Sequence, residues 1–297
     1  MNYENCTLCP RLCGADRAHG QTGVCGETSE LRAARAALHH WEEPCLSGER
    51  GSGTVFFTGC PLGCVFCQNA AISHNHAGKP VTTQRLADIF LELQHKGAHN
   101  INLVTPTHFV PTIIESVALA RSRGLCLPIV YNSSGYERVE TLRLLEGTVD
   151  IYLPDFKYCD DALARRYSAA PGYFAIAGAA IAEMVRQTGS PVFEPDGMMR
   201  RGVIVRHLML PGQLADTRRI IAAIQDRFGG RVYLSLMNQY TPMAGLEQYP
   251  ELQRRVDPGD YESAIEYALS LGVTQGFIQE DDTASESFIP LFDGEGL

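Results

Sequence analysis

The stretch TVFFTGCPLGCVFCQNAAIS, residues 54–73, runs from an apolar, β-branched and aromatic segment straight into three cysteines within eight positions, Cys60, Cys64 and Cys67. The first part reads as a buried strand and Gly59 as its end. No fourth cysteine lies nearby. Thiolates are soft ligands suited to zinc and iron–sulfur clusters, and a structural zinc site closes with four protein ligands. His74 or His76 is the nearest fourth donor, but HNH in a polar stretch reads as a solvated loop. A CX3CX2C loop suits three irons of a cubane and leaves the fourth open to a small molecule.

From that strand onward the chain alternates short β-rich runs with longer helical patterns, the mark of parallel strands joined by helical crossovers. Six strands are expected: GTVFFTG (53–59), NINLVTP (100–106), LPIVYNSS (127–134), VDIYLPDF (149–156), GVIVRHLML (202–210) and RVYLSLMNQY (231–240). Between them TTQRLADIFLELQHKG (82–97) carries a Thr cap, apolar residues at 86, 89, 90 and 93, and Gly97 as a stop, which predicts an amphipathic helix. VPTIIESVALARSRG (110–124) repeats the design, and further helices are expected near 138–146, 161–167, 173–187, 217–227 and 260–271. Periodicity alone does not choose between an open partial barrel and a doubly wound sheet. In both, chemistry collects where the strands end, and there the sequence places TPTH, NSSGYE, DFKY and NQY. The Gly-rich SGERGSG (47–53) is read as the boundary between an amino-terminal lobe, 1–52, and a barrel with a carboxy-terminal helix, 53–297.

At 297 residues, with 45% hydrophobic and 20% charged residues, the chain has the composition of a globular protein with a large core. A net charge of −9 argues against nucleic acid or an anionic membrane as partner. No apolar run approaches a bilayer span and the first twenty residues do not resemble a signal peptide, so a cytoplasmic location is expected. There, ten cysteines are better explained by metal ligation than by disulfides. Seven fall in two groups, while Cys45, Cys126 and Cys159 stand alone; Cys126 in particular reads as a small core residue.

The CX3CX2C loop, with Phe66 before its last cysteine and a strand in front of it, resembles the cluster motif of the radical S-adenosylmethionine superfamily. That resemblance implies a partial parallel (β/α)6 barrel and a 4Fe-4S cluster on Cys60, Cys64 and Cys67. It also implies that S-adenosylmethionine chelates the open iron and is reductively split to a 5'-deoxyadenosyl radical. Closer likeness falls on the pyruvate formate-lyase activating enzymes. CVFCQN is similar to their cluster loop, which makes Asn69 a support residue. IVYNSSGYE stands where that family binds the ribose, implying Asn132, Ser133 and Ser134, and YLPDFKY resembles the motif whose lysine, here Lys157, meets the cofactor carboxylate, with Asp155 beside it. Arg206 and His207 resemble fifth-strand cofactor residues before a Pro-Gly turn. One departure concerns the second strand, where the superfamily has a Gly-Gly-Glu type motif and this chain has TPTHF; Thr105 and Thr107 would present acceptors to the methionyl ammonium, and the role of His108 stays open. Read without the likeness, Asp155 and Lys157 are an ordinary ion pair and Asn132 to Ser134 a turn. Strand-end Asn238, Gln239 and Tyr240 are candidates to face substrate, whereas His39, His40, His95 and His99 read as surface or capping residues.

Cys6, Cys9, Cys13 and Cys25, with glycines and proline beside them, can close a second site holding structural zinc or an auxiliary iron–sulfur cluster. Cys45 lies on the segment that leads from this lobe to the barrel. The resemblance implies an activase that installs a glycyl radical on a partner protein and draws electrons from a flavodoxin-like or ferredoxin-like donor. Modification of a small metabolite or another peptide side chain is an alternative, and a non-catalytic electron-transfer protein is one of another class.

Overall fold

The computed structural model describes residues 3–279 and 290–297. Its strands are β1 (Arg32–His39), β2 (Ser52–Phe57), β3 (Lys79–Pro80), β4 (Ile101–Val104), β5 (Ile129–Ser133), β6 (Ile151–Pro154), β7 (Val192–Phe193), β8 (Met199–Leu208), β9 (Tyr233–Met237) and β10 (Gly276–Ile278). Its helices are α1 (Pro44–Ser47), α2 (Ala70–Ser73), α3 (Thr83–His95), α4 (Val110–Ser122), α5 (Val139–Leu144), α6 (Asp161–Ser168), α7 (Tyr173–Thr188), α8 (Leu214–Phe228) and α9 (Pro258–Ser270). Each of the six expected strands and seven expected helices is present.

The sheet order is β10-β9-β8-β6-β5-β4-β2-β1-β3, and every pairing along it from β10 to β2 is parallel, while the short β7 pairs antiparallel with β8 off this path. The parallel strands follow one another without a reversal of direction across the sheet, so the architecture is an open partial barrel; a doubly wound sheet needs a switch point. All residues of β2, β4, β5 and β6 are buried, which explains their nearly unbroken apolar runs. Alternation sends Leu103, Tyr131, Tyr152 and Val203 outward to the helices, while Val130, Ile151, Leu153 and Ile204 meet Cys45, Leu46 and Met199 on the other face. The short α1, between β1 and β2, thereby packs Cys45 and Leu46 onto the inner face of the sheet.

Helix α3 shows how the local code works. Thr82 accepts a hydrogen bond from Arg85 N, and Leu86, Ile89, Phe90 and Leu93 form one buried stripe. Gly97 ends it in a left-handed conformation at φ 88°.

Three features depart from the sequence reading. Strand β1 pairs antiparallel with β2, so the sheet crosses residue 52 and includes residues read as part of the amino-terminal lobe. RAARAALH has weak strand propensity, but Ala33, Ala34, Ala36 and Ala37 are buried, and packing outweighs propensity. The outer edge of β1 takes the end of the chain: Gly294 N donates to Ala34 O at 3.0 Å, and Ala36 N to Glu295 O at 2.8 Å. A side chain on Gly296 would put its Cβ 2.0 Å from Ala36 O, so glycine permits this approach. Strand β10 adds a seventh parallel member beyond the six expected. Cys126 is exposed beside Gln94, not a core residue, because it lies in the loop before β5. Among the described residues no single helix is long and apolar enough to cross a membrane.

Phe90 is fully buried between sheet and helices. Phe90→Ala should destabilise the fold by about 3–5 kcal/mol, read as a lower urea midpoint at unchanged m.

Candidate active site

The parallel strands end on one rim, around a cleft of about 250 Å³. After β2 the chain turns at Gly59 (φ 74°), whose N–H donates to Ile72 O at 2.9 Å. The cysteine loop is then pinned to the end of α6: Gly63 N donates to Ser168 O at 3.2 Å and Val65 N to Tyr167 O at 2.9 Å. Cys60, Cys64 and Cys67 all line the cleft. Leu62 N donates to Cys60 Sγ at 3.4 Å, Ser168 Oγ lies 2.9 Å from Cys64 Sγ, and Ser73 Oγ lies 3.2 Å from Cys67 Sγ. Burial pushes the Cys60 thiol well above its ordinary range and the Cys64 thiol up to about 11, although Lys157 opposes the latter. Desolvated thiols of this kind ionise readily only against a cationic core, and the hydroxyl and N–H donors around them are those that support metal-bound sulfur. As the side chains stand, no three His, Cys, Asp or Glu among the described residues converge as a ready-made metal site.

Opposite the cysteines, Lys157 Nζ lies 2.6 Å from Asp155 Oδ2. Burial works against its charge, but the Asp155 carboxylate and Cys64 outweigh this and raise it. Tyr173 OH donates to Ser134 O at 2.7 Å, with Asp155 O at 3.0 Å, and accepts from Lys157 N, so one tyrosine joins the ends of β5 and β6. Gly135 (φ 73°) allows this closeness, since a Cβ there would lie 2.1 Å from Asp155 O. Asn132, Ser133 and Ser134 line the cleft, and the buried Ser134 Oγ has no hydrogen-bond partner among the described residues. An orphaned buried hydroxyl at the cleft wall is what a ligand's polar group would satisfy. Phe66 and Asn69 also line the cleft.

At the end of β4, Thr105 has φ 59°, a left-handed backbone that β-branched residues rarely adopt. Its N–H donates to Asn132 O at 2.9 Å, and the residue lines the cleft. The backbone at TPTH thus takes a shape usually given to glycine, at the position where the resemblance implies one. Thr107 lies behind the cleft instead, donating from Oγ1 to the buried Glu137 Oε1 at 2.6 Å. His108 is also buried: Nε2 lies 2.7 Å from Thr58 O, and burial lowers its pKa to about 3, so it is neutral and holds the carbonyl just before the cluster loop.

Arg206 and His207 separate by strand alternation. Arg206 faces the cleft, where it pairs with Glu42 and Glu43, while His207 turns to α8, with Nδ1 2.8 Å from Phe156 O and Nε2 3.0 Å from Thr217 Oγ1. The two glutamates come from the segment entering α1 and escaped the sequence reading; an EE pair ahead of a proline carries no distinctive spacing. Glu42 Oε1 also accepts from Asn102 Nδ2 at 2.9 Å and Asn132 Nδ2 at 3.5 Å. His39 and Trp41 line the mouth, as does Gln239; Tyr240 is buried and donates to Leu252 O. Cys6, Cys9, Cys13 and Cys25 are outside the cleft, in a lobe behind the cysteine loop.

Residues 54–223 match the radical SAM superfamily. The chain belongs to that superfamily. It is 30% identical over 278 residues to an uncharacterized protein of Methanocaldococcus jannaschii, covering 90% of this chain and 75% of that one. Among solved structures, Streptococcus suis SuiB is similar over 78% of this chain at 10% identity and TM-score 0.52, and HydG, a maturase of the FeFe-hydrogenase, over 80% at 12% and 0.51. The chain spans about half the length of those proteins, 49% and 53%. A radical SAM protein is an enzyme that carries a 4Fe-4S cluster and uses S-adenosylmethionine, and the three thiols, the orphaned Ser134 hydroxyl and Lys157 suit those groups.

Removal of Arg206 leaves Glu42 and Glu43 buried without a counter-charge. Arg206→Met should lower stability by about 3–5 kcal/mol in urea unfolding, and adding Glu42→Gln and Glu43→Gln should restore part of it. Burial lifts the Glu137 carboxyl to about 7. The folded chain therefore holds a proton that the unfolded chain releases near the ordinary carboxylate range, so this residue's contribution is full at low pH and is lost as pH rises towards about 7. Glu137→Gln should flatten that limb of the stability profile, a change on the order of 3 kcal/mol.

Proposed function

We propose that this radical SAM enzyme acts on a peptidyl substrate as an activase, abstracting a hydrogen atom from a glycine of a partner protein. The observation that carries the reading is the meeting, in one cleft, of the three-cysteine loop with Lys157, Asp155, Asn132, Ser133 and Ser134. When bound, the cluster and S-adenosylmethionine supply methionine and a 5'-deoxyadenosyl radical after one-electron reduction. The chain's own residues hold and orient the cofactor. Lys157, its charge secured by Asp155, meets the carboxylate; Thr105 offers a backbone acceptor to the ammonium; Asn132, Ser133 and Ser134 take the ribose hydroxyls. Phe66 and Asn69 brace the loop, and Trp41 and Gln239 at the mouth are where substrate enters. SuiB, which shares the fold, has been solved with a precursor peptide and with S-adenosylmethionine, which supports a peptide as the class of substrate. A small flavodoxin-like or ferredoxin-like protein supplies the electron.

Under anaerobic conditions with dithionite, the chain should convert S-adenosylmethionine to 5'-deoxyadenosine. Cys64→Ala should abolish this, and Lys157→Ala should weaken cofactor binding roughly 10- to 100-fold, the loss of one charge-assisted hydrogen bond. Mixed with candidate glycyl radical enzymes, the wild type should produce a protein-radical signal in paramagnetic resonance. Deoxyadenosine formed without that signal would point to a different peptide side chain or a small metabolite, and no deoxyadenosine at all would refute the reading.

A further inference from the structure

Arg17 is fully buried, at 0% exposure, and a guanidinium does not give up its charge. Its donors reach Glu27 O at 3.0 Å, His108 O at 2.7 Å and Thr28 O at 2.6 Å, and its plane lies over the rings of Tyr3 and Phe109. These are dipoles and ring faces, and none carries a negative charge. Among the described residues no carboxylate pairs with Arg17; the neighbouring buried Glu27 turns its carboxylate to His76 Nδ1 at 2.9 Å. A buried cation without an anion is a large penalty, so the missing charge must be supplied by something close. The remaining contact is Cys6 Sγ, 3.6 Å from Nη1.

Two more thiols of the lobe, those of Cys13 and Cys25, lie beside Arg17, although among the described residues no three metal-ligating side chains converge as they stand. A Cβ added to Gly23 would stand 3.3 Å from Cys25 Sγ, 3.4 Å from Cys13 Sγ and 3.5 Å from Arg17 Cδ. The backbone turns tightly through the group, with Leu12 N donating to Cys9 O and Gly14 N to Cys6 O, each at 3.1 Å. Cys6, Cys9 and Cys25 are buried, and all four cysteines are free thiols.

We propose that Cys6, Cys9, Cys13 and Cys25 close a second metal site, a tetrathiolate that holds a soft metal centre, and that Arg17 is the buried counter-cation of that site. Four thiolates leave a net negative charge both around a single zinc and around a 4Fe-4S core, so either centre supplies the anion that Arg17 lacks. Two disulfides would be neutral and leave it uncompensated. The site is separate from the cleft, and it stands whether or not the activase reading does. It also touches the cluster loop, since Cys60 N donates to Cys25 O at 3.2 Å.

The test uses the full chain, purified anaerobically, with Cys60, Cys64 and Cys67 all changed to serine so that the cleft no longer holds a cluster. Elemental analysis should find either one zinc, or roughly four irons with matching sulfide, per chain. Adding Cys9→Ser and Cys25→Ser should remove it. In the otherwise unaltered chain, Arg17→Lys should keep the lobe metal, while Arg17→Met should surrender it to a chelator roughly tenfold faster or more. Should Arg17→Met fail to fold, the lysine variant and the cysteine variants still decide the matter. A metal-free triple variant, disulfides among the four lobe cysteines by non-reducing mass measurement, or metal retention by a folded Arg17→Met equal to that of wild type would each overturn the proposal.

Discussion

Parallel pairing of β2, β4, β5, β6 and β8 in chain order is the constraint on which the cleft depends. Val55 pairs with Leu103, Leu103 with Tyr131, and Tyr131 with Tyr152, so each strand delivers its end to the same level of the rim. Residues 105, 132 to 134, 155 and 157 are far apart along the chain, and register alone brings them beside Cys60, Cys64 and Cys67. A shift of one residue in any strand would turn its cleft residues towards the helices, as the contrast between Arg206 and His207 illustrates.

Inside that frame, charge is distributed in two linked groups. At the floor, Arg206 holds Glu42 and Glu43, and Glu42 reaches Asn102 and Asn132. Burial opposes ionisation of Glu43, yet Arg206 lowers its pKa and keeps it charged. At the wall, Asp155 and Lys157 form the second pair, and the Asp155 carboxylate also helps hold the charge on Arg206. Asn132 therefore links the floor network to the wall of the cleft, and Glu42 belongs to the cleft lining although it precedes the matched family region.

Much of this was legible because apolar runs and their end residues are short-range signals. The six strands, the capped helix α3 and the thiol loop all rest on such patterns. Strand β1 was not legible, because four alanines in eight residues carry no strand preference and become a strand only by packing against β2. Thr107 looked like a cleft residue by its place at a strand end, but a 3-10 turn over Thr107–Phe109 rotates it to Glu137. Glu42, Glu43 and Arg17 share one reason for escaping notice. Their meaning lies in what they lack or meet across long stretches of chain, and a buried charge is visible only once its surroundings are in place.

That last point bears on how lobe and barrel act on each other. His108 is held from both sides, its carbonyl by Arg17 Nη1 and its ring against Thr58 O, while Cys25 O takes the N–H of Cys60. The backbone from Thr58 to Cys60 is therefore held by the lobe, through Cys25 O, on one side and by His108, in the turn after β4, on the other. His108 is uncharged, so the grip does not loosen as pH falls through the ordinary histidine range. Gly59 sits at the centre of this grip, where a Cβ would come within 2.7 Å of Cys25 O and 2.5 Å of Glu27 Cγ. The lobe thus packs against the backbone beside the first residue of the cluster loop too closely for any side chain to intervene, and the bond from Cys60 N to Cys25 O joins lobe and loop directly.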